Sequence, residues 1–234
     1  MVSAAGMLAY TAGVAQEPAP EWQGIGSGIG AGYAWKASDK VAAYLEAEEQ
    51  PEQLTEIREA HGAMLDLLGQ SPDAAFRFID LGAGAGAVAG SLLNRFPRAS
   101  GVLAELSDSM IEAGPEKLAP FAGRFRYLQY DMNSDSWPAE LAGPVEAVVS
   151  ARAIHHLADP RKGVVFKRVH EALAPGGVFV NWDLFREESE PQKPSHPVAT
   201  VQMQLDLMRQ AGFADVACYH EVGRRRVFFG RKPR

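Results

Sequence analysis

The sequence predicts an α/β fold: a seven-stranded, mostly parallel sheet with helices on both faces and an antiparallel hairpin at its C-terminal end. Three observations carry that expectation. From Phe76 onward, short apolar runs alternate with segments of helical spacing. A turn with three alternate glycines follows the first run, and the last two runs lie too close together for a crossover helix.

Each element has its own signal. Ser38 can cap a short helix with Val41, Tyr44 and Leu45 on one face. Pro51 opens a longer helix that Gly69 stops, with Leu54, Ile57, Met64, Leu65 and Leu68 as its apolar stripe and Glu56 and Arg58 outside. Residues 76–81 read as the first strand, ending in Gly82-Ala83-Gly84-Ala85-Gly86. Val88, Leu92 and Phe96 then mark a helix that Pro97 ends. Residues 101–106 form the second strand, and Ser107 or Asp108 caps a helix through Met110 and Ile111. Residues 125–130 and 145–150 are the third and fourth strands. The helix over about 160–174 packs through Val165, Val169, Ala172 and Leu173. Pro175-Gly176-Gly177 turns into a fifth strand over 178–183. A polar segment, 186–195, precedes a helix with Val198, Val201, Leu205 and Met208, closed by Gly212. Strands over 216–219 and 227–229 complete the pattern as a hairpin.

Composition narrows the function. The chain has 234 residues, 47% of them apolar, enough for one domain with a buried core. Its 23 basic and 29 acidic residues give a net charge of −6, so a nucleic-acid partner is not expected. Cys218 is the single cysteine, which excludes an internal disulfide and a thiolate metal cluster. No run approaches the roughly 18 apolar residues of a membrane span. Residues 1–15 lack a positively charged start and are interrupted by Gly6, Tyr10, Thr11 and Gly13. No signal peptide is expected, and the location expected is cytoplasmic. Residues 1–32, with Pro18, Pro20 and five alternate glycines from Gly24 to Gly32, read as a flexible arm. Residues 33–234 then form one domain, whose helices within 33–70 cover the site. The high Ala, Gly and Arg content fits a GC-rich bacterial source.

In open parallel sheets, ligands bind beyond the carboxyl ends of the strands. The turn from Gly82 to Gly86 sits at such an end. Gly82, Gly84 and Ala87 also satisfy a dinucleotide-binding pattern, with an acidic residue, Glu105, about 20 residues further on. Asp80 argues against a dinucleotide, because a carboxylate just before the turn would face a pyrophosphate with like charge. A cationic ligand suits it.

Several ordered segments give the cation a name. Phe78-Ile79-Asp80-Leu81-Gly82-Ala83-Gly84-Ala85-Gly86, Glu105-Leu106-Ser107-Asp108-Ser109-Met110, Asp131-Met132, Val148 through Leu157, Leu173-Ala174-Pro175-Gly176-Gly177 and Gln210-Ala211-Gly212-Phe213 together resemble the class I S-adenosylmethionine-dependent methyltransferases. The resemblance covers about residues 76–231 and implies a Rossmann-like sheet. It implies that Asp80, Gly82, Ala83, Gly84 and Gly86 hold the methionine portion and that Glu105 binds the ribose hydroxyls. Leu106 and Met110 would pack on the adenine, Asp131 would take its amino group beside the Met132 backbone, and Ser150 and Ala151 would line the cofactor. The product would be S-adenosylhomocysteine.

Methyl transfer needs an in-line nucleophile and, where the acceptor must lose a proton early, a base. His155 and His156 follow the fourth strand and have a suitable intrinsic pKa, or they fill a polar pocket. Arg152 either forks onto an anionic acceptor or pairs with an acid of the protein. Asp183, ending the fifth strand, is a second base candidate or a salt-bridge partner. No metal is expected, since adjacent histidines should diverge and no carboxylate pair sits at ligand spacing. Tyr33, Trp35, Tyr44, Trp182 and Phe185 are expected around the mouth of an acceptor pocket. The reading is methyl transfer to an oxygen or nitrogen of a small molecule, within specialised metabolism. Three alternatives stand beside it: an RNA methyltransferase using the basic C-terminal tract (Arg224-Arg225-Arg226 with Arg231, Lys232 and Arg234), an NAD-linked oxidoreductase, and a non-catalytic cofactor-binding module. The aromatic N-terminal region is also consistent with a homodimer.

Overall fold

Two short helices precede the sheet: α1 (Ser38–Glu48) and α2 (Pro51–Leu67). The computed structural model describes residues 38–193, 197–222 and 224–234. The expected arm over 1–32, and with it Tyr33 and Trp35, lies outside the described residues. Pro51 stands at the start of α2, where its missing N–H costs nothing. Ile57, Ala60, Met64 and Leu65 are the buried stripe of that helix.

The strands are β1 (Arg77–Leu81), β2 (Ser100–Glu105), β3 (Phe125–Gln129), β4 (Val145–Ala151), β5 (Leu173–Leu184), β6 (Ala214–Val222) and β7 (Arg225–Arg231). Between them lie α3 (Ala87–Arg95), α4 (Asp108–Lys117), α5 (Asp159–Ala172) and α6 (Val201–Gln210). The sheet order is β3-β2-β1-β4-β5-β7-β6. The first five strands run parallel, and β7 inserts antiparallel between β5 and β6. This is the Rossmann-like sheet with the terminal hairpin that the sequence predicts.

The order reverses beside β1, so β1, β2 and β4 bring their carboxyl ends to the switch point where open α/β sheets take ligands. Alternate strand residues feed two apolar layers. Phe78, Val149, Val180 and Trp182 pack with α2 and α3 residues such as Met64 and Leu92. Ile79, Leu81, Val148 and Phe179 pack with Val165, Phe166 and Val169 of α5. Helices therefore cover both faces, as the two-residue period of the strands requires.

One boundary differs from the sequence reading. β5 begins at Leu173, ahead of the Pro175-Gly176-Gly177 expected as a turn, and an irregularity in the β4–β5 register absorbs the difference. The last residues hold this start in place: Gly176 N–H donates to the Lys232 carbonyl, and Lys232 N–H donates to that of Gly177. Tertiary pairing overrides the local turn signal there.

Candidate active site

At the carboxyl end of β1 the chain turns through Gly82, Gly84 and Gly86, with φ of 68°, 54° and 87°. These are left-handed values that a side chain resists. A Cβ at Gly82 would also overlap the Ala153 methyl group. Behind the turn, Asp80 is 1% exposed. Among the described residues neither of its carboxylate oxygens meets a donor at full hydrogen-bond geometry, the Ala89 amide being near but not aligned. Burial pushes its pKa up to about 7, against the nearby Ala89 amide and with the Glu105 charge adding to the rise. A buried carboxylate short of donors is costly until something supplies them. The ammonium of an amino-acid ligand is such a donor, whereas a pyrophosphate would add a second anion. The residues present therefore fit S-adenosylmethionine.

Glu105 ends β2 and reaches across to the turn. Its Oε2 accepts the Gly84 N–H at 2.8 Å, and its Oε1 accepts the Leu106 and Ser107 N–H groups at 2.8 Å each. Burial raises its pKa, and those three amides oppose the rise. The carboxylate is thus fixed at the strand end where ribose hydroxyls are expected. Ser107 is the cap of α4, accepting the Met110 N–H on its hydroxyl. Met110 is buried with Val41 and Ala85, and Tyr44 and Leu45 pack against that cluster, so α1 lies over this end of the site. Asp131 accepts the Asn133 N–H at 2.8 Å, and the Met132 carbonyl accepts from Arg161 Nε at 2.5 Å. Arg161 also bonds Ser134, so α5 braces the loop that carries Asp131.

The ends of β4 and β5 form the other half. Ser150 is fully buried and its Oγ donates to the Leu81 carbonyl at 2.7 Å. That hydroxyl stitches β4 to β1. Ala151, half-buried, packs against the α2–α3 layer. Arg152 has φ 54°, donates its N–H to the Trp182 carbonyl and ion-pairs through its guanidinium with Glu48 of α1. Its guanidinium carbon lies 5.3 Å from the Tyr44 ring centroid and 5.4 Å from that of Trp182. Burial works against its charge, and Tyr44, Glu48 and Glu56 together outweigh it. Of the two readings of Arg152, the acid of the protein has it.

A 3-10 turn over Ile154–His156 follows. His155 Nδ1 lies 2.5 Å from Asp183 Oδ1, and its N–H donates to Asp183 Oδ2 at 2.8 Å. Asp183 is fully buried; burial alone would raise its pKa, and His155 and the Leu184 amide bring it below the usual range. Of the two readings of Asp183, the pairing with His155 is the one that this geometry favours. The histidine rings do not diverge: their centroids are 3.9 Å apart, tilted by 42°. Among the described residues no group of three His, Cys, Asp or Glu side chains could hold a metal ion.

The aromatic mouth is not assembled as expected. Trp182 is fully buried in the α2–α3 layer, edge-on to His61, and Phe185 is buried in the opposite α5 layer. Strand alternation sends them apart. Tyr44 stays at the site through α1. The basic tract is consumed by acids: Arg224 pairs with Glu190, Arg225 with Glu56 and Arg226 with Glu221. Glu56, expected outside, is thereby drawn in.

Three contributors escape sequence reasoning. Glu48 has no local signal. Lys162 is fully buried, bonding Asp159 and the Pro197 carbonyl, and it ties the segment after β5 to α5. Tyr127 of β3 donates to the Gly84 carbonyl at 3.1 Å. A separate cleft of about 420 Å³, lined by Arg77, Arg124, Arg126 and Glu140 among others, opens at the amino ends of β1–β4, the wrong end for this chemistry.

Comparison with known proteins agrees with this geometry. A family model described as a methyltransferase domain matches residues 78–177. This stretch is a class I S-adenosylmethionine-dependent methyltransferase domain. An uncharacterised methyltransferase of Oceanobacillus iheyensis is 30% identical over 141 residues, covering 60% of this chain and 58% of its own. The structure of human N-acetylserotonin methyltransferase in complex with its cofactor superposes with a TM-score of 0.64 at 17% identity, covering 86% of this chain and 58% of that one. The [4+2]-cyclase SpnF gives a TM-score of 0.64 at 14% identity, with 77% and 82% covered. The two structural likenesses show the fold. The chain spans 58% of the length of the first two relatives. S-adenosylmethionine is the cofactor of the family, and the methyltransferase domain contains both the glycine turn and the His155 turn.

Proposed function

We propose that the protein uses S-adenosylmethionine to methylate an oxygen or nitrogen atom of a small molecule by direct in-line displacement. The observation that carries this is the buried Asp183–His155 pair at the carboxyl ends of β5 and β4. When bound, the cofactor supplies an electrophilic methyl group on a sulfonium. The chain does the rest. Asp80 and the turn from Gly82 through Ala83 and Gly84 to Gly86 bind the methionine portion, and Glu105 orients the ribose. Leu106, Met110, Asp131 and Met132 hold the adenine. Asp183 keeps the proton of His155 on Nδ1 and stabilises the imidazolium, so that Nε2 is the atom that takes the acceptor's proton. His156 limits rotation of the His155 ring by packing against it. Tyr44 walls the acceptor space on the α1 side.

Two facts support a small acceptor over RNA. The arginines of the C-terminal tract are each paired with a carboxylate, leaving their charge little to offer a phosphate backbone. A structural neighbour is named for N-acetylserotonin, a small molecule. No helix among the described residues is long and apolar enough to cross a membrane. The reading places the enzyme in a bacterial cytoplasm, in specialised metabolism.

The test is transfer of a labelled methyl group to a panel of phenols, alcohols and amines, with transfer RNA and carbon acceptors alongside. Label on a hydroxyl or amine is expected. His155→Gln, which keeps a donor for Asp183, should slow that transfer by about 10²–10⁴-fold while changing S-adenosylhomocysteine affinity less than twofold. Label on RNA or carbon, or a variant as fast as the wild type, would overturn the proposal.

A further inference from the structure

We propose that Tyr127 is a positioning residue for the cofactor, pinning the middle of the glycine turn from below. The inference rests on S-adenosylmethionine as the ligand of that turn. It starts from a conformational problem. Three glycines in left-handed backbone, separated only by alanines, have the largest entropy to lose on becoming ordered. A turn of that kind grips a ligand well only if something else holds its shape beforehand.

Side chains from two neighbouring strands do so, and both act on Gly84. Glu105 of β2 takes its N–H at 2.8 Å, and the Tyr127 hydroxyl of β3 donates to its carbonyl at 3.1 Å. Burial, with Asp80 and Glu105 adding to it, raises the phenol pKa, so the hydroxyl keeps the proton it donates. The surroundings are cut to admit this ring. A Cβ at Gly114, inside α4, would overlap the Tyr127 hydroxyl, and one at Gly86 would lie 3.1 Å from it. Two glycines, one on each side, leave space for one phenol.

The two clasps are not equivalent once the cofactor arrives. A carboxylate offers about four acceptor sites, and three amides already use Glu105. Two ribose hydroxyls bring the donors to five. The Gly84 N–H is the bond to be shared or surrendered, because Leu106 and Ser107 are fixed to the same strand end as Glu105. The Tyr127 bond goes to the Gly84 carbonyl, for which ribose hydroxyls on Glu105 do not compete, so it holds Gly84 throughout.

Calorimetry with two ligands tests this. S-adenosylhomocysteine has the amino-acid portion that the turn holds; 5′-methylthioadenosine has the same nucleoside and thioether without it. Tyr127→Phe should weaken S-adenosylhomocysteine about three- to tenfold, the share of one hydrogen bond, and 5′-methylthioadenosine less than twofold, with a melting temperature lower by no more than about 2–4 °C. Gly114→Ala, whose Cβ would overlap the Tyr127 hydroxyl and ring edge and push that side chain off Gly84 while the tyrosine itself is retained, should repeat the selective loss. Unchanged affinity for S-adenosylhomocysteine, or equal weakening of both ligands, would overturn the proposal while leaving the cofactor assignment standing. A wild-type chain that binds neither ligand would overturn both.

Discussion

Asp80 and Asp183 end strands of the same sheet, two places apart, and are buried to the same degree, yet their acidities move in opposite directions. Burial penalises the charge of each. Asp183 has His155 and the Leu184 amide, so its charge is retained. Asp80 has only the weak hold of the Ala89 amide among the described residues and is pushed up to about 7. The difference separates machinery that is complete within the chain from machinery completed by a ligand. On the β4–β5 side three groups have partners inside the chain: Arg152 has Glu48, His155 has Asp183 and Ser150 has Leu81. On the β1 side one carboxylate is left waiting for a cation.

The most direct way to break this comparison is to remove the waiting charge. Asp80→Asn should weaken S-adenosylhomocysteine by about ten- to hundredfold, the scale of a hydrogen bond to a charged group. The same variant should not lower the melting temperature of the free protein at pH 8, because it removes a charge that burial disfavours. An Asp80→Asn protein that binds as tightly as the wild type would mean the carboxylate never meets the ligand.

The pH dependence sharpens it. The folded-state pKa of Asp80 is raised from 3.8 to about 7. Its proton therefore stabilises the free fold fully below about pH 3.8, and that contribution is lost as pH rises through about 7. Binding an ammonium favours the ionised form, so the ligand must expel the proton at low pH. Affinity should rise between pH 5.5 and 7, by at most about tenfold per pH unit, and flatten above. Calorimetry across that range measures it, and Asp80→Asn should abolish the slope. A flat wild-type profile would contradict the linkage.

What the sequence discloses about this comparison is uneven, and the reason is distance along the chain. The strand order, the glycine turn and the acidic end of β2 were legible because each is written in consecutive residues: a two-residue apolar period, alternate glycines, a carboxylate closing a strand. Asp80 could be assigned a cationic ligand for the same reason. The partners on the other side could not. Arg152 meets Glu48 across 104 residues, and Arg225 meets Glu56 across 169. No local pattern relates them; only the sheet order and the docking of α1 and α2 do. Trp182 and Phe185 were expected together because both follow the same strand, and its alternation sends them to opposite layers. Tyr127 had one faint signal, a glycine inside the helical pattern at Gly114, which marks a close approach without saying of what.

The internally satisfied side should respond differently to damage. Glu48→Ala removes the counter-ion that fixes α1 over Arg152, both side chains being 13% exposed. The Tyr44 and Trp182 rings still flank the guanidinium, so the fold should survive and α1 should loosen locally. Amide exchange over α1 should accelerate about tenfold, equivalent to about 1.4 kcal/mol, with the sheet unaffected. Exchange that is unchanged in α1 would show the pair to be idle.

Ser150→Ala is the smallest change and the cleanest control for that contrast. It removes the hydroxyl that donates to the Leu81 carbonyl and creates almost no void, since Ala has nearly the same shape. The cost should be about 1 kcal/mol, read as a melting temperature lower by about 2–4 °C. S-adenosylhomocysteine affinity should stay within twofold, because the Ser150 hydroxyl is spent on joining β4 to β1. Should affinity fall while the melting temperature holds, Ser150 would belong with Asp80 among the groups the ligand completes, and the division between the two sides would have to be redrawn through β4 itself.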